Sequence, residues 1–146
     1  ADFYQTSAAD YKTKLTQLDN QYRFALSKCE SKEIVYGGHY AFGYLCKRYG
    51  LAYESAYGIS PDSEPSAQDL IKLVEQIRKE RIKFVFAEGL LSPRVAETLA
   101  KETGSGILYL NPAGNLSKED FEKNVSFLSI MEENLANLKT GLRCNE

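Results

Sequence analysis

The chain has 146 residues, 43% of them apolar and 26% charged, with a formal charge of −2. That length and balance describe one globular domain with its own core and exclude two ordinary domains. There is no Lys/Arg stripe to neutralise a run of phosphates, and apolar runs are only a few residues long, which excludes nucleic acid as a partner and a membrane-spanning helix. The opening Ala1-Asp2-Phe3-Tyr4-Gln5 has neither the basic start nor the apolar run of a signal peptide, as in a mature protein or an excised piece.

The first thirty residues predict a long amphipathic helix. Tyr11, Leu15, Leu18, Tyr22, Leu26 and Cys29 recur at helical spacing, and that face must lie against this domain or another one. Glu33-Ile34-Val35-Tyr36 predicts a strand ended by Gly37-Gly38. A helix with Phe42, Leu45 and Tyr49 on one side follows, stopped by Gly50. Ala52 to Tyr57 is the second strand, followed by a turn-rich loop from Gly58 to Pro65. Ser66 with Asp69 forms a capping box for a helix carrying Leu70, Leu73, Val74 and Ile77. Lys83 to Ala87 predicts a buried strand, Ser92-Pro93 starts a helix running to Gly104, and Ile107 to Leu110 is the fourth strand. Ser117 with Asp120 caps one final helix through Phe121, Val125, Leu128, Leu135, Leu138 and Leu142. Strands alternating with helices predict an α/β fold: a three-layer sandwich with a mainly parallel four-stranded sheet flanked by helices.

Cys29, Cys46 and Cys144 form no zinc-knuckle spacing. Cys29 on the helix stripe reads as a buried free thiol, and a disulfide from Cys29 or Cys46 to Cys144 is the alternative.

Ligands of such sheets gather beyond the carboxyl ends of the strands. Those ends bring His39, Ser60, Glu64, Glu88 and Asn111 to one edge. His39 is the single histidine; with Glu88 it makes either a general acid/base couple or a metal ligand with its supporting carboxylate. A zinc site takes three or four protein ligands, so a tight site needs donors from another domain or chain. No phosphate loop and no nucleophile triad is visible.

The segment Gly37-Gly38-His39-Tyr40-Ala41-Phe42-Gly43-Tyr44-Leu45, continued by Arg48-Tyr49-Gly50-Leu51, resembles a motif of the solute-binding proteins of zinc and manganese ABC transporters. The resemblance runs on in order through Glu64-Pro65-Ser66, Val85-Phe86-Ala87-Glu88, Ala100 to Gly104, Leu110-Asn111-Pro112 and Met131 to Leu135. It implies one lobe of a two-lobed, metal-binding ion-transport protein whose lobes join through a long rigid helix and hold the metal between them. Residues 1–30 then contain the end of the connecting helix or the helix after it, residues 31–146 form the C-terminal lobe, and the N-terminal lobe with its two histidines is absent. His39 matches a metal-ligand position and favours Zn2+ over Mn2+, Asn111 stands where a carboxylate ligand is usual, and Glu88 supports the ligand shell. Tyr40 departs from the Asp usual after the histidine. The implied partners are the missing lobe and an ABC permease in the membrane. The implied location is periplasmic or on the extracellular face, as a lipid-anchored lipoprotein. The resemblance implies a binding protein and no enzyme. The competing readings are a small α/β enzyme domain using His39 and Glu88 as acid and base, and a pure interaction module.

Overall fold

The computed structural model describes residues 2–57, 65–89 and 92–145. Its elements run α1 (Asp2–Ser27), β1 (Glu33–Tyr36), α2 (Gly43–Tyr49), β2 (Ala52–Ser55), α3 (Ala67–Lys79), β3 (Phe84–Glu88), α4 (Arg94–Thr103), β4 (Gly106–Leu110), α5 (Lys118–Glu122) and α6 (Phe127–Gly141). The four strands pair in the order β2-β1-β3-β4, all parallel, as the alternation of elements requires.

Successive side chains of each strand point to opposite faces, so the sheet builds two cores. Ile34, Tyr36 and Phe86 join Leu18, Tyr22 and Leu26 of α1, Cys46 of α2, and Leu135 and Leu138 of α6. Val35, Val85 and Ala87 face the other way, against Leu73 and Ile77 of α3 and Ala96 and Leu99 of α4. Each buried Leu, Ile or Phe contributes roughly 1.5–3 kcal/mol by leaving water. The near-continuous apolar runs of β1 and β3 are the consequence of burial on both faces.

Helix ends follow local chemistry. Gly50 and Gly104 close α2 and α4 in the left-handed region at φ 67° and 73°. Ser66 and Asp69 form the reciprocal capping box of α3. Two boundaries differ from expectation. Pro93 itself occupies the cap position of α4, one residue later than Ser92-Pro93 predicts. The final helix is two helices, α5 and α6. Asn124 turns into the left-handed region at φ 54°, and Ser126 opens α6 with its own capping box to Ser129.

The Cys29–Cys144 disulfide corrects the reading of Cys29 as a free thiol; Cys46 is the buried free cysteine. The bridge spans 115 positions and ties the end of α1 to the turn after α6. Glu30 N–H and Ser31 N–H donate to Arg143 O and Leu142 O beside it, at 3.2 and 3.1 Å. Closing so long a loop removes unfolded-state freedom worth on the order of 4 kcal/mol in the chain-entropy account.

Only the second half of α1 packs on the domain. Tyr22 O–H donates to Met131 O of α6 at 2.6 Å, and its ring stacks on Tyr49 of α2 at 5.1 Å. Residues 2–14 are exposed, including Phe3, Tyr4 and Tyr11 of the expected apolar stripe and its surroundings. Asp19 marks where packing begins. It accepts Arg48 Nε and Nη2 at 2.7 and 2.9 Å, the Tyr49 hydroxyl at 2.8 Å and Arg23 Nε at 3.1 Å.

The Arg48 guanidinium, helped by Tyr49 and Arg23, holds the Asp19 carboxyl well below the usual carboxylate range. A carboxyl depressed in the folded state stabilises the fold above its unfolded pKa of about 4, and that contribution is lost as pH falls. The melting temperature should therefore drop more steeply between about pH 5 and pH 3 in the wild type than in Asp19→Asn. Equal slopes for the two proteins would contradict this role for Asp19.

Candidate metal site

The strand order places β1 and β3 side by side although β2 and α3 lie between them in sequence. The chain leaves β1 toward one edge of the sheet and returns to build the other, so a crevice opens beyond the carboxyl ends of β1 and β3. The Gly37 N–H donates to Phe86 O at 2.7 Å, extending the ladder by one rung past Tyr36. Gly37 lies so near α4 that a Cβ there would stand 2.8 Å from Ala96 Cβ. The positive-φ glycines among the described residues are Gly50 and Gly104, so the glycine pair before His39 serves close approach, not an unusual φ.

His39 follows directly. Its backbone N–H donates to Glu88 Oε2 at 3.3 Å, and its Nδ1 lies 3.3 Å from the same oxygen. A carboxylate can only accept, so this contact places the imidazole proton on Nδ1 and leaves a lone pair on Nε2. Both side chains are largely covered, His39 at 29% and Glu88 at 14% exposure. The Tyr57 ring lies against the imidazole with centroids 5.3 Å apart.

Two residues of β2 hold the loop that carries His39. Tyr53 O–H donates to His39 O at 3.2 Å and accepts the N–H groups of Ala41 and Phe42 at 3.3 and 3.4 Å. Burial pushes the Tyr53 phenol up to about 12, so it remains a donor at neutral pH. Ser55 Oγ lies 2.7 Å from Gly38 O and 2.8 Å from Tyr57 O. These supporting residues were not singled out by the sequence reading. The available signal was their alternation on one strand face, Tyr53, Ser55 and Tyr57, beside a strand ending in His39.

Asn111 directly follows β4, which pairs with β3. Its N–H donates to Asn134 Oδ1 at 2.8 Å, Asn134 Nδ2 donates to Asn111 O at 2.7 Å, and Asn137 Nδ2 donates to Tyr109 O at 2.9 Å. The amides of α6 thus replace a missing neighbour strand along the outer edge of β4. The Asn111 side-chain oxygen accepts Ala113 N–H at 2.8 Å, which uses one of its two lone pairs. A cleft of about 220 Å³ opens here, lined by Gly89, Asn111, Asp120 and Glu133 among others. Ser60 and Glu64 lie outside the described residues.

The structure therefore brings His39 and Glu88 into contact and leaves Asn111 on the neighbouring strand end. Among the described residues no three His, Cys, Asp or Glu side chains cluster as a complete metal site. The thiols do not add a ligand: two are in the disulfide, and burial pushes the Cys46 thiol up to about 12. What the described residues offer is one oriented imidazole at the mouth of an open α/β lobe.

The fold is an open α/β sheet with His39 and Glu88 in contact beyond its strand ends. A family model described as the periplasmic component A of the zinc-uptake complex, ZnuA, matches residues 1–141, and the chain belongs to that family. The high-affinity zinc uptake system protein ZnuA of Bacillus subtilis is 40% identical over 141 residues, which is 97% of this chain and 44% of that protein. The crystal structure of the metal-dependent lipoprotein YcdH from Bacillus subtilis superposes with a TM-score of 0.81 at 40% identity, over 97% of this chain and 53% of that one. The Zn(II)-bound ZnuA-like domain of Streptococcus pneumoniae AdcA gives 0.78 at 38% identity, over 97% and 52%. The chain thus spans about half the length of these relatives.

Because Asn134 satisfies both backbone groups of Asn111, its removal leaves two partly buried polar groups unpaired. Asn134→Ala should cost about 1–3 kcal/mol in urea unfolding. An unchanged midpoint would show that water replaces the amide at no cost.

Proposed function

We propose that this chain is the C-terminal lobe of a zinc-binding protein that delivers the ion to an ABC permease in the membrane. The observation that carries the reading is the His39–Glu88 contact at the crevice between β1 and β3. It fixes the neutral imidazole in the form that binds zinc through Nε2, a ligand arrangement common to zinc proteins. His39 is the ligand this lobe supplies, Glu88 orients it, and Asn111 has an amide oxygen to offer beside them. A second lobe brings the remaining donors. The exposed first half of α1, about 20 Å of helix beyond the packed part, is the segment that leads to that lobe. Histidine at this position favours zinc over manganese, whose preferred ligands are carboxylate and carbonyl oxygens. The protein works on the outer side of the membrane, periplasmic or extracellular, held there by a lipid anchor. The names of the relatives, a zinc uptake protein and a Zn(II)-bound domain, agree with this reading. The acid/base alternative draws no support from these relatives, whose names are those of a zinc uptake protein and a Zn(II)-bound domain.

The test is zinc titration of the two-lobed protein. His39→Ala should weaken binding by more than about a hundredfold, and Glu88→Ala by about ten- to a hundredfold, the range of residues that orient a ligand. Asn111→Asp keeps the acceptor for Ala113 and adds a charged oxygen, so it should tighten binding. The 146-residue chain alone should bind weakly. Nanomolar one-to-one binding by it, or His39→Ala with undiminished affinity, would overturn the split site.

A further inference from the structure

Tyr36 and Gly38 precede His39 on the chain and border the Glu88 carboxylate. Tyr36 is the last residue of β1, with no exposed surface, and its ring packs edge-on against Phe42. Its hydroxyl donates to Leu110 O at the end of β4 over 3.4 Å, and the Glu88 carboxylate lies close enough for its charge to push the phenol up. A charged oxygen draws a hydroxyl proton more strongly than a neutral carbonyl. Gly38 lies between these groups. A Cβ built on it would stand 2.7 Å from Glu88 Oε2, 2.6 Å from Tyr36 Cε1 and 2.8 Å from Tyr36 Cζ. Those distances are below any real Cβ contact, so the carboxylate and the phenol ring jointly occupy the space a side chain would need.

We propose that Tyr36 and Gly38 are positioning residues: Gly38 supplies the space in which the Glu88 carboxylate lies, and the Tyr36 hydroxyl holds that carboxylate against His39. Burial and the nearby Glu88 charge push the Tyr36 phenol up, so it keeps its proton. Oε2, pinned in this way, accepts the His39 backbone N–H and faces Nδ1 at once. One oxygen thereby fixes both the main chain and the ring of His39.

The clamp itself is read without metal, because His39 is the single histidine. Long-range proton–nitrogen spectra of the 15N-labelled chain report that one imidazole. The wild type should carry its neutral proton on Nδ1. Tyr36→Phe and Gly38→Ala should each lower the share of the proton on Nδ1, with Gly38→Ala the larger shift. Thermal unfolding of the same samples establishes that the variants are folded, and if Gly38→Ala is not, Tyr36→Phe decides. A folded variant with the wild-type tautomer ratio overturns the role of that residue.

The consequence for affinity rests on the zinc-binding reading above. In the two-lobed protein, zinc titration should show a loss of about tenfold for Tyr36→Phe and up to about a hundredfold for Gly38→Ala. A shifted tautomer with unchanged zinc affinity keeps the clamp and overturns the ligand role of His39. An unshifted tautomer, with His39→Ala still weakening zinc, overturns the clamp alone.

Discussion

The hydrogen bond from Gly37 N–H to Phe86 O is the constraint on which the site depends. It is the rung beyond the Tyr36–Phe86 pair, and it fixes how far β1 runs alongside β3 before the chain turns away. A slip of one residue would reverse the faces of the strand, sending Tyr36 out of its core and moving His39 away from Glu88. The register is defended from both sides of the sheet. Ile34 and Tyr36 are locked under α1 and α6, while Val35 is locked against α3 and α4. Hydrophobic packing thus sets the position of a polar pair at its edge.

Around that rung the work is divided among strands. β3 supplies the carboxylate, β1 the imidazole, and β2 the hydroxyls of Tyr53 and Ser55 that hold the intervening loop. β4 is stitched at its outer edge by Asn134 and Asn137 of α6, so the cleft beside Asn111 has a fixed wall. α6 is itself tied to α1 through Tyr22 and through the disulfide at the end of α1. The carboxyl edge of the sheet is thus tied to α6 and through it to the second half of α1, whose first half is exposed.

Much of this was legible in the sequence, for physical reasons that can be named. Strand runs apolar on both faces allow a buried parallel sheet, and parallel strands force His39, Glu88 and Asn111 to one edge however far apart they lie in sequence. Gly50, Gly104 and the Ser66–Asp69 pair marked helix ends through backbone preference alone. The break before α6 was hidden because Val125 and Leu128 continue the apolar spacing across it, while the left-handed turn rests on Asn124 alone. The Cys29–Cys144 pairing required knowing that the end of α1 meets the turn after α6, which spacing does not show. Tyr36 and Tyr53 read as ordinary strand aromatics; their hydroxyl partners lie on other elements. At Gly37 and Gly38 the structure uses the missing side chains, which sequence spacing does not show.

The central claim is that the sheet crevice presents the Nε2 lone pair of His39 to zinc while Glu88 keeps Nδ1. The most direct measurement is a zinc-loaded crystal structure of the two-lobed protein, with the ion located by its anomalous scattering. The account predicts zinc about 2.0–2.1 Å from His39 Nε2, with Glu88 Oε2 still against Nδ1. Zinc bound without His39, or bound to Nδ1 with Glu88 swung away, would contradict it.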